Sequence, residues 1–104
     1  MIMGREPGCK AITSSILPAV RASVAETMIR KYNYSQGNVA SMLGIAQVAV
    51  SKYMHDRYSP DVSRIKSYII SKNLNKNIVE SILNGKKDIS VEINKLCELI
   101  LKTA

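Results

Sequence analysis

The sequence predicts an all-α protein, and three observations carry this prediction. Apolar residues recur at steps of three and four over most of the 104 residues, as they do on the buried face of a helix. Phe and Trp are absent, so a core must form from Ile, Leu, Val, Met and Ala, which suits packed helices. No segment has the pattern of a credible strand. We therefore expect one helical domain.

The first predicted helix follows a short arm. Residues 1–12 carry two Gly, a Pro and charges of both signs, and this composition predicts a flexible N-terminal arm. Helical spacing of apolar residues begins after it, and Ser14 or Ser15 is expected to cap the helix. Pro18 then falls in the first turn, where proline is tolerated. The helix is predicted to end near Tyr32.

Two short helices are predicted next. Ser35 is expected to cap the second helix by accepting a hydrogen bond from the amide of Asn38. Gly44 is expected to end it in a left-handed conformation. A third helix is predicted over roughly Gln47 to His55. The residues predicted to face the core are Val39, Ala40, Leu43, Val50 and Tyr53.

Three further helices are predicted in the C-terminal half. Ser59, Pro60 and Asp61 form a start signal of cap, first-turn proline and acid. Asn75 is expected to cap the fifth helix, and Ser90 to begin the sixth. Their predicted apolar stripes are Val62, Ile65, Ile69 and Ile70; Ile78, Val79, Ile82 and Leu83; and Ile93, Leu96, Cys97 and Ile100.

The residue order between Ser35 and Arg57 predicts a helix-turn-helix. Two helices that cross steeply need a small residue where they approach, and Ala40 is such a residue. Gly44, four positions later, can take the backbone angle of a tight turn, and Ile45 can fill that turn. This combination is typical of the helix-turn-helix motif.

The stretch SQGNVASMLGIAQVAVSKYMHDR resembles the helix-turn-helix of the lambda-repressor-like (Cro/XRE) superfamily, whose pattern is roughly S-Q-x-x-[VL]-A-x-x-L-G-[IV]-[ST]-Q-x-x-V-S. With ILPAVRASVAETMIRKYNYSQ before it, residues 7–58 are similar to a group of archaeal transcriptional regulators. The resemblance implies a lambda-repressor-like DNA-binding region over residues 13–58. Residues 59–104 are then additional C-terminal helices that serve dimerisation. Ala46 stands where the family pattern has a Ser or Thr cap, a loss of about 1 kcal/mol in typical hosts.

The resemblance also implies a DNA-binding face. It places Gln36 and the start of the second helix against a phosphate, and Gln47 at base edges, where an amide can pair with adenine. On an ideal helix the polar residues that follow share a face with Gln47, opposite Val50 and Tyr53. The predicted DNA-binding residues are Gln36, Gln47, Val48, Ser51, Lys52, His55 and Arg57.

Charge agrees with a polyanionic partner. Fifteen Lys and Arg against eight Asp and Glu give a net charge of +7. Such an excess favours binding to phosphates through release of condensed counterions. No acidic residue lies between Glu26 and Asp56, whereas Arg30, Lys31 and Lys52 lie inside that window. We therefore expect a sequence-specific transcription regulator of double-stranded DNA. The alternative is a helical protein-interaction module, or an adaptor of the transcription machinery, that does not read DNA.

Other expectations concern partners and location. No pairing of His with a carboxylate, no Gly-rich phosphate loop and no nucleophile elbow is present, so we expect no enzymatic activity, no cofactor and no small-molecule substrate. Cys9 and Cys97 lack metal-ligand spacing, so no metal is expected, although a redox response through either thiol stays open. Without a membrane or secretion signal, the protein is expected in the cytoplasm.

A homodimer is expected through the last helix. This helix carries Leu99 and Leu101 in addition to its apolar stripe, which is more apolar surface than one neighbouring helix needs. Arg21, inside the first helix, is expected to support the motif by pairing with Glu26 or with a backbone carbonyl.

Overall fold

A computed structural model describes the backbone of residues 7–86 and 89–103 and the side chains of residues 14–86 and 89–102. These residues form helices and no strand, which confirms the all-α prediction. The helices are α1 (Pro7–Tyr32), α2 (Gln36–Leu43), α3 (Gln47–Met54), α4 (Pro60–Ser71), α5 (Lys76–Leu83) and α6 (Ser90–Thr103).

Helix α1 lies at the centre of the fold. It packs against each of the other five helices. A helix that is buried on several sides must be apolar or small on several sides, and α1 meets that demand with small side chains. Its fully buried residues include Ala19, Val20, Ala22, Ser23, Val24, Ala25 and Met28. The other helices are therefore placed largely by their contact with one shared element.

The predicted start of α1 was wrong. The helix begins at Pro7, so residues 7–12, predicted as part of a loose arm, have helical backbone. Residues 1–6 lie outside the described residues. Proline is favoured at the first helical position because its missing N–H is not needed there. Pro18 therefore lies inside α1 and not in its first turn, and it removes one hydrogen bond from the helix. We attribute the persistence of the helix through Pro18 to packing against its neighbours.

The C-terminal helices begin where the sequence predicts. The Ser59 hydroxyl accepts a hydrogen bond from the Val62 amide at 3.3 Å, and Pro60 is the first residue of α4. Asn75 is the cap residue of α5, but its side chain does not cap the helix. Helix α6 begins at Ser90 as predicted. Among the residues of the predicted stripes, those buried in the single core cluster are Val62, Ile69, Ile78, Val79, Ile82, Ile93, Leu96 and Ile100.

The side chain of Asn75 has a tertiary role in place of the predicted cap. Its amide nitrogen donates to the hydroxyl of Ser23 at 3.4 Å and to the hydroxyl of Thr27 at 3.3 Å. Both hydroxyls belong to α1. A buried amide needs hydrogen-bond partners, and the two hydroxyls of α1 provide them. The residue therefore fastens the start of α5 to the central helix.

None of the helices in the described part of the chain has both the length and the apolar character needed to cross a bilayer.

Candidate nucleic-acid interface

Helix α2 forms as the sequence predicts. The Ser35 hydroxyl accepts a hydrogen bond from the Asn38 amide at 3.0 Å, which satisfies one of the open donors of the first turn. Val39, Ala40 and Leu43 are buried, so α2 turns one face to the core. Gln36 is the first helical residue and is half-buried.

The turn between α2 and α3 depends on Gly44. Its φ and ψ are 68° and 33°, the left-handed conformation that the sequence predicts. The Ile45 amide donates to the Ala40 carbonyl at 3.0 Å, which closes the end of α2. Ile45 itself packs against the core. Ala46 has the extended backbone of a cap residue but provides no side-chain hydrogen bond, as expected.

Helix α3 has one buried face and one open face. Val50 is 0% exposed, and Tyr53 is partly buried against the core. Gln47, Val48 and Lys52 are exposed, with 63% of Val48 accessible to solvent. The division predicted from ideal helical geometry is therefore present in the fold.

Five of the seven predicted site residues meet in one place. They line a shallow cavity of about 260 Å³ on the open side of α3 and the loop after it. Its lining consists of Val48, Ser51, Lys52, His55 and Arg57. Two of these side chains are the cationic Lys52 and Arg57, two are hydrogen-bonding groups and one is apolar. The arrangement can accept an anion together with a small apolar group.

Gln36 and Gln47 lie outside this cavity. A Cβ atom placed on Gly37 would lie 3.7 Å from the amide oxygen of Gln47, so this side chain reaches the first turn of α2. Because Gln36 begins the same turn, the start of α3 and the start of α2 are neighbours. The two glutamines thus belong to a second polar area, next to the free amides of a helix N-terminus.

The imidazole of His55 is oriented by its own helix. Its Nδ1 lies 2.8 Å from the carbonyl oxygen of Ser51. A carbonyl can only accept, so Nδ1 carries the proton and donates this bond. The other ring nitrogen, Nε2, is left for a ligand. It accepts a hydrogen bond when the ring is neutral and donates one when the ring is protonated.

The negative charge of Asp56, which lies between His55 and Arg57 in sequence, is offset by neighbouring side chains. Asp56 follows His55 directly, and its carboxylate accepts a hydrogen bond from the Tyr58 hydroxyl at 2.7 Å. The Lys66 ammonium lies 3.6 Å from the same carboxylate. The Tyr58 hydrogen bond and the Lys66 charge hold the pKa of Asp56 below its ordinary value. This carboxylate is therefore ionised at neutral pH, but it does not stand alone beside the cationic side chains.

The predicted pairing of Arg21 with Glu26 was wrong. The carboxylate of Glu26 instead accepts a hydrogen bond from Lys66 at 2.8 Å. Arg21 lies near Tyr53 of α3, where burial raises the pKa of the tyrosine and the guanidinium works against that rise. Residues five positions apart point to different sides of a helix, which explains why Arg21 and Glu26 do not meet. Arg21 therefore lies beside Tyr53 of α3 and does not pair with Glu26.

Sequence reasoning missed the role of Lys66. It was not among the predicted site residues, yet its ammonium bonds Glu26 of α1 and the loop after α3. One signal was present, because Lys66 lies four residues after Val62 and three before Ile69. A lysine at that spacing falls on the apolar stripe of α4 and must be buried with partners.

The described residues contain no cluster of three or more His, Cys, Asp or Glu side chains that could hold a metal ion. Cys97 is a free, half-buried thiol, and burial raises its pKa. The side chain of Cys9 lies outside the described residues.

No protein-family model, no curated protein and no solved structure matches this chain.

Proposed function

We propose that this protein is a sequence-specific, double-stranded-DNA-binding transcription regulator with a lambda-repressor-like helix-turn-helix formed by α2 and α3. In this proposal α3 enters the major groove. The observation that carries it is the set of five side chains lining one cavity on the open side of α3 and the loop after it, with Val50 buried on the opposite side. An α-helix fits the width of that groove, and base edges and phosphates are both within reach of such a face.

Each side chain has a role that its chemistry permits. Gln47 reads base edges from the start of α3, since an amide pairs well with adenine. Val48 is the apolar residue of the exposed face and contacts a thymine methyl group. Lys52 bonds guanine or a phosphate, and Ser51 bonds either a base or a phosphate. Gln36, His55 and Arg57 contact phosphates and thereby fix the position of α3 in the groove.

The primary experiment is a selection of bound sequences from random duplex DNA at a stated salt concentration. A regulator of this kind enriches one short motif, and the spacing of its half-sites reports the geometry of the dimer. Failure to enrich any motif, together with no shift of a labelled duplex at low salt, would overturn the proposal.

Two substitutions then distinguish contacts with base edges from contacts with phosphates. Lys52→Ala should weaken binding to every duplex and shallow the log–log salt dependence by about one unit, since one phosphate contact is lost. Gln47→Ala should relax the preference at one base position, at a cost of about 1–3 kcal/mol on the preferred sequence. Lys72→Ala is the matched control, since it removes one exposed positive charge from the end of α4. An equal effect of Lys52→Ala and Lys72→Ala would leave net charge as the sole determinant.

The proposal includes a homodimer formed along α6, with a second copy of this chain as the occupant. One recognition helix reads too few bases for specificity, so regulators of this class pair across a two-fold operator. Leu99 and Leu101 of α6 are 47% and 51% exposed. They lie about 200° apart around the helix, so they belong to two different grooves. Leu99 lines the groove with α5, and Leu101 lines the groove with Leu17 of α1.

Sedimentation distinguishes the two grooves. Leu101→Lys and Leu99→Lys each place a charge in one of them, and the variant at the interface should shift the protein to a monomer at micromolar concentration. The other variant serves as its control. A wild-type protein that sediments as a monomer at tens of micromolar would contradict the dimer.

The second candidate function is a protein-interaction module that uses α2 and α3 without reading DNA. The exposure of Val48, an apolar side chain in the middle of the open face, favours it. This candidate predicts no duplex binding at low salt, and the selection experiment therefore decides between the two functions.

A further inference from the structure

Lys66 is a buried lysine that joins two separate parts of the fold. Its side chain is 11% exposed, on the face of α4 that otherwise consists of apolar residues. The ammonium donates hydrogen bonds to Glu26 of α1 at 2.8 Å and to the Tyr58 hydroxyl at 2.6 Å. It also lies 3.6 Å from Asp56 and 5.3 Å from the centre of the Tyr58 ring.

The ammonium is charged despite its burial. Desolvation lowers the pKa of Lys66, but the hydrogen bonds to Glu26 and Tyr58 outweigh it and raise the pKa above the ordinary value. An ammonium has three protons to donate, and Lys66 donates two hydrogen bonds, to Glu26 and to Tyr58, while also lying close to the carboxylate of Asp56. Replacing such a buried charge by an apolar residue of similar size is often neutral or stabilising, so packing alone does not require a lysine here.

The contacts of Lys66 converge on the loop that carries Arg57. Lys66 donates to the Tyr58 hydroxyl, and that hydroxyl in turn donates to Asp56 at 2.7 Å. Both neighbours of Arg57 in sequence are thereby held. The Arg57 amide donates to the Lys52 carbonyl at 2.9 Å, which sets the loop against the end of α3. The backbone of Asp56 has a φ of 56°, an uncommon conformation that needs such support.

We propose that Lys66 is a positioning residue for the nucleic-acid interface. Through Tyr58 and Asp56 it holds the loop after α3, so that Arg57 and His55 face the cavity. It also offsets the carboxylate of Asp56, which would otherwise repel a phosphate beside these two side chains. The inference rests on the proposed function, because it concerns how the same face meets DNA.

A double-mutant cycle tests this role. Arg57→Ala should weaken duplex binding by about three- to tenfold in the wild-type background, as expected for the net loss of one typical hydrogen bond at a solvent-exposed site. In the Lys66→Met background the loop is no longer held, so Arg57→Ala should cost less than about twofold. Binding is measured by fluorescence anisotropy with a labelled duplex, at a temperature where circular dichroism shows that every variant is folded.

Two further variants identify the path of the effect. Glu26→Gln weakens the contact of Lys66 with α1 but leaves the loop contacts, so the full cost of Arg57→Ala should remain. Asp56→Asn in the Lys66→Met background removes the uncompensated charge and should recover part of the lost affinity. If Arg57→Ala costs the same in the wild-type and Lys66→Met backgrounds, Lys66 stabilises the fold alone and the proposal is overturned.

Hydrogen exchange gives a readout that does not need DNA. Lys66→Met should speed exchange of the Arg57 amide by about tenfold more than exchange of the Val39 amide, since opening is confined to the loop. Val39 donates to the Ser35 carbonyl in α2 and is the control. Equal acceleration of both amides would overturn the positioning role. If the wild-type protein does not bind duplex DNA, the proposed function fails. The hydrogen-exchange measurement still decides in that case whether Lys66 holds the loop.

Discussion

The two ends of α3 are held in different ways. At its start, the chain is shaped by neighbours in sequence: Gly44 takes a left-handed conformation and the Ile45 amide bonds the Ala40 carbonyl. At its end, the loop is held by Lys66 of α4, whose other partner, Glu26, lies 40 residues away. Gln47 lies at the first end and Arg57 at the second. A single short helix therefore presents side chains whose positions depend on local rules at one end and on tertiary contacts at the other.

Because of this difference, we expect substitutions at the two ends of α3 to have different effects. A change at the start of α3 acts through backbone conformation or helix crossing, and its effect is seen in stability. A change at the exposed carboxylate of Asp56, at the other end, removes contacts with Tyr58 and Lys66 that contribute little free energy but orient the neighbouring side chains. Four predictions test this division, and they are ordered by expected size.

The largest effect is expected from Ala40→Leu. Ala40 is buried between α2 and the rest of the core, so a larger side chain must push the helices apart. Overpacking of this kind costs about 1–3 kcal/mol of unfolding free energy, measurable by urea denaturation. Ser41→Leu adds the same bulk at an exposed position of the same helix and serves as the control. Equal losses in the two variants would show that crowding at Ala40 does not matter.

Gly44→Ala should come next. Nothing lies within 4 Å of a Cβ placed there, so the whole cost is the left-handed backbone, about 1–2 kcal/mol. Gly37→Ala is the matched control inside α2, where a methyl group makes only an ordinary contact with Gln47. Alanine is the better helix former by up to about 1 kcal/mol, so this variant should be unchanged or more stable. Equal losses of stability in the two variants would show that the left-handed backbone at Gly44 carries no particular cost.

Ala46→Ser is expected to stabilise the protein by about 1 kcal/mol, visible as a higher melting temperature. The backbone at Ala46 already has the extended conformation of a cap, and only the side-chain acceptor is lacking. Ala49→Ser, inside α3, is the control and should give no such gain. A gain at both positions, or at neither, would mean that the missing cap is not what limits this end of the helix.

The smallest effect concerns pH at the other end. The pKa of Asp56 is lower in the fold than its ordinary value of 3.8, because the Tyr58 hydroxyl and then Lys66 favour the carboxylate. The ionised form therefore stabilises the fold above 3.8, and this contribution is lost as the pH falls through the lower, folded-state pKa. Wild type should melt slightly above Asp56→Asn at neutral pH, and the two should converge in acid. A constant difference at every pH would contradict this assignment.

The sequence predicts the residues of the candidate site better than the tertiary contacts that hold them in place. Helical spacing and the turn chemistry of Ser35 and Gly44 are local properties, so α2 and α3 could be placed to within a residue. Helical geometry alone then places the side chains of the open face of α3 next to one another. The contacts of Arg21 and Asn75 could not be obtained in that way, because their partners lie on other helices. The buried position of Lys66 was visible in the pattern, but Tyr58 and Glu26 as its partners were not.

The sequence by itself determined the helical class, the cap at Ser35, the left-handed turn at Gly44 and the polar face of α3. Each of these depends on neighbours within about one helical turn, where the backbone leaves few choices. Only the tertiary structure decided that α1 continues through Pro18, and that Lys66 bonds both Glu26 and the loop after α3. These features arise from packing between segments far apart in the chain, where the free energy of many weak contacts outweighs any local preference.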